Sequence, residues 1–450
     1  MLFRSVEGLI YASSQFHWKG DGKGTLFMVP GREYTRYGLH LCPCESYRWK
    51  KDERFIHEVV EAYANVYPNL RVHDPGYPAP ELLKSKIRYG NIEFEGDFSK
   101  DSEGSALIKS VLLDSLPGPV YITAWGGQST IARALKSIEE QYQQSEGWDV
   151  LKKHISEKVV ILPSGDQDNT YASYIQPHWP EVDYRQYRNG PNYGYGAQLV
   201  ASRNNSTLLT AAWMSRNINE KGPLGRLYRV WGDGKQMVPG DRFDYFGLDG
   251  YTNEQLKQLG YIVWMPVQPK GSWLGEGDTG TFMNLLDNGL DALQKITPGG
   301  WGGQPFHPDP KTYTDPFSND TAKVKDLVIS AATLQTNAAS AVTFPDFFAA
   351  AQQDFAARMD WSVNATYRAV NHPPVIHIQG SKEVKAQPGD RIRFTAAVKD
   401  PDGNDFIVRW WQFRNTSGEP ILTISKEHSL QTTIQIPKED RKSTRLNSSH

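Results

Sequence analysis

The tightest constraint on the fold is a repeated order of strand, loop and helix in the first part of the chain. Val6 to Ala12 (VEGLIYA) has the apolar character of a buried strand. Asp52 to Val66 carries Phe55, Ile56, Val59, Val60 and Tyr63 at helical spacing. Ser105 to Leu116 predicts a second helix, with Leu107, Ile108, Val111 and Leu112 on one face, ended by Pro117-Gly118-Pro119. Val120 to Trp125 is a strand run followed by a Gly-Gly turn and a helix from about Ser129 to Gln141. Lys158 to Pro163 opens another strand, turn and helix. This rhythm predicts an α/β domain, a parallel sheet flanked by helices. Ligands of such sheets sit beyond the carboxyl ends of the strands. The segments SSQFHW, WGGQST and PSGDQDNT are therefore expected at one mouth.

The texture changes near His372. The helical stretch Pro345 to Met359 closes the first domain, and Pro373-Pro374 breaks the pattern. The runs VIHIQ, RIRFTAAV, FIVRWWQF, ILTIS and TTIQI follow, separated by turn signals such as QPGD and DPDGND. Short strands at this spacing predict a β-sandwich. About 65 residues are available for it, against about 100 for a complete one. The two ends read differently again. Asp440 to His450 (DRKSTRLNSSH) back-translates to a common short-read sequencing adapter, and Met1 to Ser5 (MLFRS) to its reverse complement. Residues 1–5 and 440–450 are expected to be such artefacts and are set aside from fold reasoning. That leaves residues 6–370 as a first domain and 371–439 as a second, each expected to be truncated.

Charge and composition narrow the function. A net charge of −2 gives no electrostatic reason to expect nucleic acid or an anionic membrane as partner. No apolar run reaches membrane-spanning length. Thirteen Trp and 22 Tyr could stack on sugar rings, although aromatic residues fill cores by default. Cys42 and Cys44 flank one proline, a spacing poor for a bridge, so free or buried thiols are expected.

Few strings carry recognisable chemistry. Asp278, in GEGDTGTFMNLLDNGL, stands where a helical run begins. It reads either as a helix cap or as an oxygen ligand for a hard cation at the sheet mouth. Asp166, Asp168 and Asn169 follow a strand end in LPSGDQDNTY and read either as turn and cap residues or as hydrogen-bond partners of vicinal sugar hydroxyls. Gly126 and Gly127 would let backbone approach a ligand. Neither WGGQST nor KGDGKGT has the spacing of a nucleotide-phosphate loop. DPDGNDF has Asp405 where a calcium-binding EF-hand loop needs Gly, and a turn is expected there instead. His17, His57, His73 and His178 show no metal-ligand spacing, and of these only His17 falls at a predicted strand mouth. No G-x-S-x-G elbow is present.

VEGLIYASSQFHWKGDGKG, VYITAWGGQSTIARAL, ILPSGDQDNTYASYI and GEGDTGTFMNLLDNGL resemble the bacterial cellulose-binding-protein family with a nucleoside hydrolase-like domain. Residues 371–439 resemble that family's Ig-like C-terminal module. A weaker resemblance extends to inosine-uridine nucleoside hydrolases. There, aspartates after the first strand, a backbone carbonyl and a late aspartate hold a calcium ion whose bound water attacks the anomeric carbon. The resemblance aligns Asp278 with the late aspartate and Trp125 with the carbonyl donor. It places Gln15 where an Asn contacts ribose, and Asp166 to Asn169 near a second ribose-contacting segment. Gly277 stands where many of these enzymes have a leaving-group His. The first strand and its aspartates are expected upstream of Val6. Calcium would then belong to an intact parent, and this chain would bind it weakly or not at all.

The resemblance implies a secreted or periplasmic protein of bacterial carbohydrate turnover, acting on a carbohydrate or nucleoside-like small molecule. The leading expectation is hydrolysis of an N-glycosyl bond by a calcium-bound water. The rival is a non-catalytic cellulose- or polysaccharide-binding protein, with Trp18, Trp273 and Trp301 as candidate platforms. A third reading is a structural module that docks a partner through the sandwich.

Overall fold

The structure, a computed structural model, describes residues 5–30, 32, 35–36, 39–294, 299–309, 346–381, 383–412, 420–438 and 445–447. The predicted strand–helix rhythm is present. Strand β1 (Leu9–Tyr11) leads to helix α1 (Phe55–His73), strand β2 (Ile87–Tyr89) and helix α2 (Glu103–Leu113). Strand β3 (Val120–Ala124), helices α3 (Ser129–Tyr142) and α4 (Trp148–Lys158), and strands β4 (Val159–Pro163) and β5 (Asp183–Tyr184) follow. Local chemistry explains several boundaries. The Ser102 hydroxyl accepts the Ser105 N–H at 3.1 Å while Ser105 Oγ accepts the Ser102 N–H at 2.8 Å. This reciprocal cap fixes the start of α2 and contributes about 1 kcal/mol.

All five residues of β4 are buried. It pairs in parallel with β3 on one edge and β5 on the other, the setting that favours a continuous apolar run such as VVILP. Ile131, Leu135 and Ile138 of α3 pack with Ile108 and Leu112 of α2, Ile155 of α4 and Ile161 of β4 to form the main core. Burying side chains of this size stabilises the fold by roughly 1.5–3 kcal/mol each. One expected sheet is divided in two. β1 pairs in parallel with β2, whereas β3, β4 and β5 form a separate sheet. Sequence reading missed β2, because IRY is too short to show a periodicity.

After helix α5 (Phe348–Val363), β6 (Val375–Gln379), β7 (Arg391–Lys399), β8 (Thr423–Ser425) and β9 (Gln431–Gln435) form an antiparallel sheet in the order β6-β7-β9-β8. Phe406 to Gln412, expected as a strand, runs as irregular backbone. Among the described residues this region thus contains a four-stranded antiparallel sheet. A separate antiparallel ladder joins Glu383–Lys385 to Arg445–Asn447, within the stretch set aside as an artefact. The sheet region meets the α/β core through His372. Its Nδ1 lies 3.0 Å from Asp402 and its Nε2 lies 3.0 Å from His73 Nδ1 on α1. His73 Nε2 in turn faces the Asn364 carbonyl at 2.7 Å.

The cysteine expectation is corrected. Cys42 and Cys44 form a disulfide, S–S 2.06 Å. Their Cα atoms are 4.5 Å apart, inside the range a bridge tolerates, so one intervening residue is no obstacle here.

Candidate functional site

Three loops that follow parallel strands meet at one mouth, as their order in the sequence requires. The Gly127 N–H donates to the Ser13 carbonyl at 2.7 Å, joining the loops after β3 and β1. The Gln15 N–H donates to the Gln167 carbonyl at 3.0 Å, joining the loops after β1 and β4. The Ser129 N–H donates to Asp168 Oδ2 at 2.8 Å, joining the loops after β3 and β4. Gly127 is required for this closeness. A Cβ there would stand 2.3 Å from Asp168 Oδ2 and 2.5 Å from the Ser13 carbonyl. The close approach foreseen for this glycine is therefore to the protein itself, not to a ligand.

A fourth loop completes the mouth. The Glu276 N–H donates to the Tyr193 carbonyl at 2.5 Å, which fixes the 275–278 turn against the 193–195 turn. Asp278 lines the resulting cleft, and its Oδ1 accepts from Gln167 Nε2 at 3.2 Å. Burial raises the Asp278 pKa above the usual carboxylate value, against the opposing hydrogen bonds of Ser164 and Gln167. Asp278 is not the cap of the following helix. It lies within a single 3-10 turn, Gly277–Thr279, before the short helix Gly280–Met283.

The mouth also gathers aromatic surface. Trp125 is 50% exposed and meets Phe282 edge-on, with centroids 6.1 Å apart. Tyr195 is 38% exposed, stacks on Phe246 at 4.8 Å and abuts Trp264 at 5.1 Å. The Gln15 side chain lines the same cleft, and its buried Nε2 has no hydrogen-bond partner among the described residues. His17 stacks on Trp49 at 4.4 Å, and burial, aided by Arg48, pulls its pKa down to about 4. Arg48 lines the cleft beside it and pairs with Asp241 at 2.8 Å.

Gln15, Trp125 and Asp278 are thus brought together. Asp166, Asp168 and Asn169 are not. The Asp166 carboxylate accepts the N–H groups of Tyr171 at 3.1 Å and Ala172 at 3.0 Å. Asp168 serves Ser129, and it accepts from the Thr170 N–H at 3.2 Å and hydroxyl at 2.6 Å. These carboxylates are spent on backbone donors at helix starts, the turn-and-cap role that such residues favour. Asn169 holds a left-handed turn at φ 60°. The candidate platforms Trp18 and Trp273 are also corrected, being 0% and 2% exposed in core clusters, and Trp301 is half-buried against the cluster around Trp273. Sequence reading missed Gln167 and Tyr195. Gln167 lies between two acids that drew attention from it, and nothing in NYGYGAQ distinguishes Tyr195 from a core tyrosine.

The donor set does not fit a calcium ion. Calcium takes six to eight oxygens, several of them carboxylate. Among the described residues no three His, Cys, Asp or Glu side chains converge as a metal site requires. Asp278 is accompanied by Gln167 and Ser164 rather than by a second acid.

The sequence matches a known domain type. Residues 4–304 match the family model for the nucleoside hydrolase-like domain of cellulose-binding Sde182. The chain belongs to this family. A solved structure similar to it is a nucleoside hydrolase-related hypothetical protein from Saccharophagus degradans, associated with carbohydrate metabolism. The two share 21% identity with a TM-score of 0.58, over 87% of this chain and 81% of that one, a likeness of fold. No curated protein matches the chain. No described helix is long and apolar enough to cross a membrane.

Proposed function

We propose that the mouth binds a saccharide, with cellulose-type glucan as the substrate class. The supporting observation is that exposed aromatic faces, Trp125 and Tyr195, share one cleft with the unpaired amide of Gln15 and the polar pair Gln167–Asp278. Sugar rings present apolar faces that stack on aromatics, and hydroxyls that pair with amides and carboxylates. A ligand hydroxyl accepting from Gln15 Nε2 would satisfy a buried donor that otherwise costs about 1–3 kcal/mol. Such a glucan lies outside the cell, and the Cys42–Cys44 disulfide accords with an oxidising, secreted or periplasmic setting. Calorimetry with cello-oligosaccharides tests the proposal. Trp125→Ala and Tyr195→Ala should each weaken binding roughly tenfold. Unchanged affinity in both variants would overturn it. Calcium added alone should give no micromolar binding isotherm.

A second reading, hydrolysis of an N- or O-glycosyl bond, is favoured by the raised pKa of Asp278. A carboxyl that keeps its proton can donate it to the leaving atom as the bond to the anomeric carbon breaks and water adds there. Release of reducing sugar or free base, lost in Asp278→Asn, would establish that activity.

A further inference from the structure

The cleft continues beyond Asp278 along a wall that includes Arg229, Met237, Asp244 and Phe246. The 275–278 turn packs backbone to backbone on the 193–195 turn. A Cβ on Gly275 would stand 2.8 Å from the Tyr195 nitrogen, and one on Gly194 would stand 3.3 Å from Gly277 Cα. Tyr195 is thereby set beside Asp278. Phe246 stacks on the Tyr195 ring, and Trp264 meets both rings edge-on. Asp244, two residues before Phe246, lines the same cleft. Desolvation raises the Tyr195 pKa and the charges of Asp244 and Asp278 add to the rise, so both carboxylates lie within electrostatic reach of its hydroxyl. From Trp125 to Asp244 the cleft thus passes two exposed aromatic faces borne on different loops.

Asp244 is 2% exposed. Its Oδ2 accepts from the Met237 N–H at 2.5 Å and from Arg229 Nη1 at 3.1 Å. Its backbone carbonyl accepts from Gln236 Nε2 at 2.8 Å. Arg229 is tied in turn to Asp233, at 3.0 and 3.1 Å, and to the Lys235 carbonyl at 2.6 Å. These contacts fix the carboxylate in one orientation. Its other oxygen, Oδ1, is also buried and has no hydrogen-bond partner among the described residues. A buried charged oxygen without a donor is costly, and folds leave few of them. Holding the wall together employs Oδ2 and leaves Oδ1 unexplained. In a cleft, such an oxygen suits a donor brought by a ligand.

We propose that Asp244 Oδ1 accepts a hydroxyl of a second sugar ring, stacked on Tyr195, so that the cleft takes an oligosaccharide of two or more rings. The first ring is the one at Trp125, beside Gln15 and the Gln167–Asp278 pair. This rests on the saccharide reading above. Gln15 supplies a donor without an acceptor and Asp244 an acceptor without a donor, and a sugar hydroxyl serves either.

Calorimetry on the full 450-residue chain with glucose and with cellotetraose tests the proposal, comparing the unmodified chain with Asp244→Asn and Trp125→Ala. Asn keeps the shape of the side chain and removes its charge. The unmodified chain should bind cellotetraose roughly tenfold more tightly than glucose or better, since the tetramer fills both positions. Each variant should weaken cellotetraose binding roughly tenfold. A single glucose fills one position at a time, so at least one of the two variants should leave its affinity unchanged. Unchanged cellotetraose affinity in Asp244→Asn would overturn the proposal and leave the saccharide reading standing. So would glucose weakened equally by both variants, the mark of a one-ring site. An unmodified chain that binds neither sugar would remove the saccharide reading and the proposal together. Should Asp244→Asn show no cooperative melting transition, the chain-length comparison decides. Equal affinity of the unmodified chain for glucose and cellotetraose would overturn the second position, and a gain that Tyr195→Ala abolishes would support it.

Discussion

A carboxyl group that loses water on folding resists giving up its proton, and Asp278 is such a group. A pKa raised by folding means that stability falls as the pH rises through the folded value. Above the ordinary carboxylate pKa the buried group therefore works against the fold, whether by carrying its charge or by holding its proton. Asp278→Asn should therefore raise the Tm at pH 7 while lowering affinity for cello-oligosaccharide. Thermal melts and calorimetry on one preparation check both, and a parallel loss of stability and binding would assign Asp278 a merely structural role. His17 shifts in the opposite sense. Its folded pKa of about 4 lies below the ordinary 6.5. The unfolded chain thus takes up a proton first, and stability declines as the pH drops from about 6.5 to about 4. Replacing His17 by Gln should flatten that part of the stability curve, measured by urea denaturation at stepped pH. At this scale the sequence was legible in part. Asp278 was visible because glycines surround it in GEGDTG. Asp166 and Asp168 carry the same chemistry in sequence, and only coordinates reveal that their oxygens face backbone donors.

Elements were easier to read than side chains, because periodicity reports burial directly. The predicted α3, from about Ser129 to Gln141, is observed at Ser129–Tyr142, and VIHIQ is strand β6 throughout. Loop contacts follow another logic. The turn between β3 and α3 depends on absent atoms, those a side chain at Gly127 would add. Gly127→Ala should cost about 1–3 kcal/mol by overpacking against Asp168 and Ser13. It should also loosen the mouth, so saccharide affinity falls with stability. Gly126→Ala, whose Cβ would meet only the Ser13 carbonyl at 3.5 Å and Ser14 at 3.8 Å, should be tolerated far better. Comparing the two by chemical denaturation separates close approach from general glycine flexibility. Trp18 and Trp273 escaped reading for a related reason: an indole carries the same letter whether it faces a sugar or a core.

Across the whole molecule, the division of the parallel sheet was hidden from sequence, since pairing partners are set by long-range packing rather than local pattern. The join between the α/β core and the antiparallel sheet was equally hidden. His73 and His372 are almost 300 residues apart, a separation of 299. Asn364 accepts through its backbone carbonyl and Asp402 through its carboxylate, so the two imidazoles stand in a hydrogen-bonded row between them. The seam is then a relay of polar contacts joining two halves of the chain. His372→Gln, which removes a ring from that row, would slacken the hold of the sheet region on the core, while the apolar interior around α3 stays intact.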